Sequence, residues 1–223
     1  MKHNSFDTSK YFALRLTEDN RRETTWKALC DYFFNRIIGN DEVVLEVGAG
    51  YCDFINNANG RKKIALDHWE EFKRYAGRDV ETHVADALDL AKVINCKVDT
   101  ILCSNLLEHL SKDEILELLG AMKLILSPIN GKLIIVQPNF RLNPNRYFDD
   151  YTHVSIWSDV SLKDFLNSHG FKVIRVLPKF LPLSLKSKMP VSRRLIWLYL
   201  KLPFKYKAGQ MLLIAELDSP NII

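Results

Sequence analysis

A turn of two glycines and two aspartates spaced behind it are the residues of this sequence best suited to hold a ligand. The turn reads Glu46-Val47-Gly48-Ala49-Gly50-Tyr51-Cys52-Asp53, and glycines so close after an apolar run permit a tight bend and close approach of a ligand to the backbone. A dinucleotide fingerprint would place another glycine or alanine at position 53. Asp53 stands there instead, and its carboxylate would face a pyrophosphate at a helix N-terminus, a repulsive arrangement. No Walker-type GK[ST] follows. A ligand without phosphates fits better. Asp67, 19 residues beyond Gly48, is where a carboxylate accepts hydrogen bonds from ribose hydroxyls. Asp86 could accept from an exocyclic amine while the Ala87 N–H donates to a ring nitrogen. Either aspartate alone reads equally as a helix cap; in register with the glycine turn they describe a nucleoside that carries a cation rather than phosphates.

A second group of polar residues follows the apolar runs at 98–103 and 132–136. Asn105, Glu108 and His109 lie in SNLLEHL; Asn139, Arg141, Tyr147, Asp149, Asp150 and His153 lie in the long polar stretch 138–158. An imidazole with an ordinary pKa near 6.5 can accept a proton at neutral pH, and a neighbouring carboxylate such as Asp150 would orient it. His153 is the first candidate base. His109, just before Ser111, is the second, and reads equally as a structural histidine at a helix start. Asn139, Arg141 and Tyr147 are candidates to touch an acceptor. Arg21 and Arg22 suit an anionic acceptor or a cover over the ligand, and among Glu18, Asp19 and Glu23 they read equally as a solvated charge cluster.

These residues need a scaffold, and the apolar pattern outlines one. Trp26, Leu29, Cys30, Phe33 and Ile37 recur at helical spacing, which predicts an N-terminal helix within about 20–38. Short β-rich runs at 43–47, 62–66, 81–85, 98–103, 132–136, 171–176 and 210–216 alternate with helical or turn-like stretches. Such alternation predicts a doubly wound α/β sheet of seven strands, with ligands at the carboxyl ends of the strands. One helix is expected after Ser111, with Glu114 as capping-box partner, and another over DVSLKDFLNSH, closed by Gly170.

Composition narrows the class. With 47% hydrophobic and 26% charged residues in 223, the chain has the averages of a folded globular domain and is predicted to be one domain over 1–223. No apolar stretch is long enough for a membrane span or signal peptide, so a cytoplasmic location is the default. Cys30, Cys52, Cys96 and Cys103 form no CxxC pair and read as reduced thiols. Of the 31 Lys and Arg, ten fall in 165–215, which holds no Asp or Glu; the remainder carries 21 positive and 27 negative residues. Within this basic tail, a segment of about 179–209 interrupts the usual short link to the last strand. Leu195, Ile196, Trp197, Leu198, Tyr199, Leu200 and Leu202 make it apolar. It is expected either to pack on the sheet edge or a second subunit, as a homodimer contact, or to lie on anionic lipid at the inner membrane surface.

The segments VLEVGAGYCDFI (44–55), KIALD (63–67), VADAL (84–88), VDTILCSNLLEHL (98–110) and SPINGKLIIVQPNF (127–140) together resemble the class I S-adenosylmethionine-dependent methyltransferases. The resemblance implies a Rossmann-like seven-stranded sheet with the last strand antiparallel, and S-adenosyl-L-methionine as cofactor. It assigns the methionine part to Glu46, Gly48, Ala49 and Gly50, the ribose to Asp67, the adenine to Asp86 and Ala87, and adds Asn105 to the cofactor set. Cys52 departs from the pattern, replacing the family's usual third glycine of the loop. SNLLEHL, QPNFR, YFDDYTH and GQMLLIAE look like a bacterial subgroup from surface-polysaccharide and glycan loci, which implies O-methylation of a small-molecule, glycan-linked or lipid-linked acceptor. NLLEH is also similar to the metal-ligating ExxEH of small-RNA 2′-O-methyltransferases, but Asn105 removes the first carboxylate, so no metal is expected. A nucleic-acid methyltransferase and a non-catalytic cofactor-binding subunit are the alternatives. The first is disfavoured because the tail has no RNA-recognition signature and SNLL replaces the NPPY-like motif of base methylases.

Overall fold

The computed structural model describes residues 20–182 and 191–218. Glu18 and Asp19 of the N-terminal charge cluster, and residues 183–190 of the basic segment, lie outside the described residues. Seven strands, β1 (Val43–Val47), β2 (Lys62–Asp67), β3 (Val80–Val84), β4 (Thr100–Ser104), β5 (Lys132–Pro138), β6 (Phe171–Pro182) and β7 (Ala208–Leu217), form one sheet in the order β3-β2-β1-β4-β5-β7-β6. The first five run parallel. β7 is inserted antiparallel between β5 and β6, as expected for the last strand. Strand order reverses at β1, which lies between β2 and β4, and this opens the crevice where ligands bind in such sheets. All five residues of β1 are buried, which accounts for its valines and leucine on both faces, with Glu46 the one buried acid among them.

One face of the sheet is covered by α2 (Leu90–Val93), α3 (Lys112–Ile125) and α4 (Asp159–Ser168). α3 buries Ile115, Leu118, Leu119, Met122 and Ile125, a stripe at i, i+3, i+4 spacing, and starts at a complete capping box between Ser111 and Glu114. α4 starts on Ser158, and Gly170 follows it in the left-handed region (φ 83°). β6 is twelve residues long and extends past the expected 171–176, because its later residues pair with β7 across bulges.

The opposite face is built differently. Between β1 and β2 there is no helix, and between β2 and β3 only a 3-10 turn over Glu70–Arg74. The Asn-rich stretch 56–59 has no helical apolar period, and its side chains bond to backbone instead: Asn56 Nδ2 to Tyr75 O (2.8 Å), Asn57 Nδ2 to Asp53 O (2.9 Å) and Asn59 Nδ2 to Ile38 O (3.2 Å). The sheet is covered here by α1 (Asn20–Tyr32) and α5 (Arg193–Lys201). The expected helix to Ile37 stops at Tyr32 and continues as a 3-10 turn over Phe34–Arg36. Phe34 lies 5.4 Å from Phe54 and 6.1 Å from Phe180, ring to ring, and Phe33 is 5.0 Å from Phe180. Arg193 of α5 is ion-paired with Asp31 of α1.

Candidate active site at the carboxyl edge of the sheet

The glycine turn after β1 is tied to β2 at two levels. Gly48 N and Ala49 N donate to Leu66 O (2.9 and 3.1 Å). Gly50 N donates to Asp67 Oδ2 (2.8 Å), while Asp67 Oδ1 accepts from Trp69 N (2.8 Å). Asp67 is therefore almost fully buried, 4% exposed, and its carboxylate is held by backbone donors that fix its direction. Gly48 and Gly50 both take left-handed conformations (φ 73° and 51°), where L side chains are strained. A Cβ on Gly48 would sit 3.4 Å from Leu106 Cδ1, an ordinary contact, so the left-handed backbone rather than crowding is what calls for glycine there. Cys52, where the family pattern has glycine, adopts the same left-handed backbone (φ 56°) and is fully buried. The loop keeps the path that a glycine would give.

Glu46 does not reach into this turn. Its Oε2 accepts from Ile55 N (3.1 Å), and burial, with Asp53 and Asp67 nearby, raises its carboxyl well above the ordinary range. It shapes the loop through this bond to Ile55. Asp86 is exposed at the end of β3 and accepts from Leu88 N (2.9 Å) as the N-cap of a 3-10 turn beginning at Ala87; capping leaves the rest of its carboxylate open to solvent. Beside Asp67, the rings of Tyr51, Trp69 and Tyr75 pack at 4.6 to 5.8 Å, an aromatic wall not anticipated from the sequence, although Trp69 two residues after Asp67 was its signal. Arg22 lies 4.0 Å over the Tyr51 ring and is ion-paired with Asp53. It joins α1 to the glycine loop.

On the acceptor side, a 3-10 turn (Leu107–His109) after β4 meets the loop after β5. Val154 N and Ser155 N both donate to Glu108 O (2.9 and 3.1 Å), and Ser155 Oγ donates to Leu110 O. This docking brings His109 and His153 together, ring centroids 5.0 Å apart. Asp150, named as the carboxylate that would orient His153, accepts hydrogen bonds from Thr152. Its Oδ1 accepts from Thr152 Oγ1 (2.6 Å), and that hydroxyl, its proton committed, accepts from His109 Nδ1 (2.9 Å). Thr152, which the sequence did not single out, is thus the link. His153 Nδ1 donates instead to Tyr147 O (2.6 Å). Both bonds put the proton on Nδ1 and the lone pair on Nε2 in the neutral rings. Burial, helped by His153, lowers the His109 pKa to about 4, so His109 is uncharged at neutral pH. Glu108 is completely buried, neither carboxyl oxygen has a hydrogen-bond partner among the described residues, and burial pushes its pKa up to about 8.

The other candidates serve the loop itself. Tyr147 is buried with its hydroxyl donating to Ser155 O (2.7 Å). Asn139 is buried and donates to Asp159 Oδ1 (2.9 Å) and Pro178 O (3.1 Å), while Arg141 reaches the same carboxylate at 3.6 Å. Asn105 is exposed in the left-handed region (φ 50°), accepting from Gln210 Nε2 (3.3 Å). Arg21, half-buried in the first turn of α1, accepts from Thr25 Oγ1 through its carbonyl. Glu108, His109 and His153 each offer a ligand atom within 4.8 Å of the others.

Comparison with known proteins agrees with this architecture. A model of the methyltransferase-domain family matches residues 19–176, so the chain belongs to that family and is a methyltransferase. Among solved structures, it is similar to a SAM-dependent methyltransferase from Archaeoglobus fulgidus, at 18% identity over 94% of this chain and 99% of that one, with a TM-score of 0.63. DhpI in complex with SAH is 16% identical over 95% and 92% of the two chains, TM-score 0.61. A methyltransferase of Haloferax volcanii, in complex with the Trm112 activator, is 13% identical over 97% and 100%, TM-score 0.66. No curated protein matches.

Proposed function

We propose that the chain methylates an oxygen of a small-molecule or glycan-linked acceptor, with S-adenosyl-L-methionine as cofactor. The observation that carries this reading is the coupling of the left-handed Gly48–Gly50 turn to Asp67 through Gly50 N, which makes a rigid cradle at the strand-order switch with a carboxylate where ribose hydroxyls would bind. Gly48, Ala49 and Gly50 line the methionine part, Asp67 accepts from the ribose hydroxyls with the lone pairs its backbone donors leave, and Asp86 with the Ala87 N–H reads the adenine. When bound, the cofactor supplies a methyl group on a sulfonium, already activated for displacement. What remains for the protein is alignment and proton removal. His153 Nε2 accepts the acceptor hydroxyl's proton while Nδ1 stays on Tyr147 O. His109, held by Thr152 and Asp150, keeps a neutral ring beside it, so two imidazoles do not compete as cations. DhpI, whose structure contains SAH, supports the cofactor assignment by its shared fold.

Titration calorimetry tests it. Wild type should bind S-adenosylhomocysteine, and Asp67→Ala should weaken binding by about 1.5 to 3 kcal/mol, the usual worth of hydrogen bonds to a charged acceptor. A chain that gives no heat with this ligand and binds a nicotinamide dinucleotide would overturn the assignment.

A further inference from the structure

We infer that α5 and the residues after it form a docking surface for an anionic lipid bilayer, placed at the mouth of the acceptor site. Ile196 and Leu200, one turn apart, are half-buried and pack against the core on the α1 side. The next face of the same helix has no such cover among the described residues. Leu195, Leu198 and Leu202 recur at i, i+3, i+7 and are each close to half exposed, as is Trp197. Phe204 and Tyr206 beyond the helix are 87% and 68% exposed. A patch of this kind on a folded chain marks a binding surface.

Its charge says what it binds. Arg194 and Lys201 lie together on the helix edge beside this apolar face, Lys205 and Lys207 interleave with Phe204 and Tyr206, and no Asp or Glu occurs anywhere from 165 to 215. A second copy related by two-fold symmetry would set this basic rim against itself. An amphipathic helix with leucines inward and basic residues at the border has the pattern of an element that lies in the headgroup region of a negatively charged membrane.

Topology ties the surface to the site. β6 ends at Pro182 opposite Ala208, where β7 begins. Gly209 O accepts from Asn139 N (2.8 Å), and Gln210 reaches Asn105. The chain therefore leaves and rejoins the sheet at the carboxyl edge, next to the acceptor loop, which suits an acceptor carried on a lipid. That last consequence rests on the methyl-transfer reading; membrane binding does not.

Sedimentation with vesicles of phosphatidylcholine alone, or with added phosphatidylglycerol, tests the surface. Wild type should pellet only with the anionic vesicles at low salt, and be released at high salt as screening predicts. Arg194→Gln with Lys201→Gln should reduce partitioning by about 30-fold, from the usual worth of two basic residues near such a surface, and Leu198→Glu should reduce it at least as much. These side chains are exposed, so unchanged heat of S-adenosylhomocysteine binding certifies the fold and separates failure here from failure of the cofactor reading. Wild type that stays in the supernatant with anionic vesicles at low salt overturns the proposal. So does a dimer in size-exclusion that Leu198→Glu dissociates, which would make the face a subunit contact.

Discussion

Replacing Glu108 by glutamine should change how stability responds to pH, in a window set by two residues. Burial raises the Glu108 pKa from its ordinary 4.5 to about 8 and lowers that of His109 from 6.5 to about 4. A group with a raised folded pKa contributes stability that is lost as pH climbs toward that value; one with a depressed folded pKa, for a histidine, costs stability as pH falls below its unfolded value. Between pH 4.5 and 6.5 the two slopes oppose. From 6.5 to 8 the opposing slope of His109 is gone, and for Glu108 the folded chain must keep a proton that the unfolded chain has released, as it does for buried Glu46. At about 1.4 kcal/mol for each pH unit, that stretch amounts to roughly 2 kcal/mol, a fall in Tm of about 4 to 8 °C for a chain of this length. Thermal unfolding followed by circular dichroism at pH 6.5, 7.25 and 8, in chelated buffer, should show a loss larger by this amount in wild type than in Glu108→Gln, which keeps the contribution of Glu46. Parallel curves for the two proteins would refute the reasoning. The carboxylate would then be ionised and compensated, and restoration of wild-type stability by a divalent cation would turn Glu108, His109 and His153 into ligands.

Gly48→Val forces a β-branched residue into the left-handed region against Leu106; binding of S-adenosylhomocysteine should fall by 100-fold or more on the order of a lost site, and normal calorimetry would place the ligand elsewhere. Cys52→Gly relieves a backbone cost of about 1 to 2 kcal/mol while losing a buried thiol, so its urea midpoint should lie near wild type, whereas Cys52→Val should be clearly lower; equal midpoints for the two would mean that the left-handed backbone is not what constrains this position. His153→Ala should lower turnover roughly 100-fold, in line with general-base catalysis, with cofactor affinity unchanged. Full activity in this variant would leave alignment as the whole of catalysis.

Much of the parallel half was legible because its signals are local. VVLEV, KLIIV and the Ser111–Glu114 box each state their structure within a few residues, and seven strands in alternation leave few topologies. The face carrying α1 was harder, since Phe34, Phe54 and Phe180 meet only in three dimensions and the Asn-rich turn in place of a crossover helix has no periodic pattern to read. In the site, residue types pointed to Asp67 and to the two histidines. Their partners did not follow from spacing: Asp150 lies three residues from His153, yet Thr152 connects it to His109. Asn139 and Tyr147 illustrate the converse, polar residues in a loop over a ligand edge whose hydrogen bonds turn inward to hold the loop.

The way α1 is covered has a consequence for synthesis of the chain. α1 leaves the ribosome long before its partners: Phe180 belongs to β6, and Arg193, which pairs with Asp31, is 162 residues downstream. Until those residues emerge, Phe33 and Phe34 lack part of their cover, and the helix that grips Asp53 through Arg22 is only partly seated. The parallel strands can assemble in order as they are made, whereas closure over the glycine loop waits for β6 and Arg193. A nascent chain stalled near Val176, where the family match ends, would hold most of the sheet and still present an aromatic flank to chaperones.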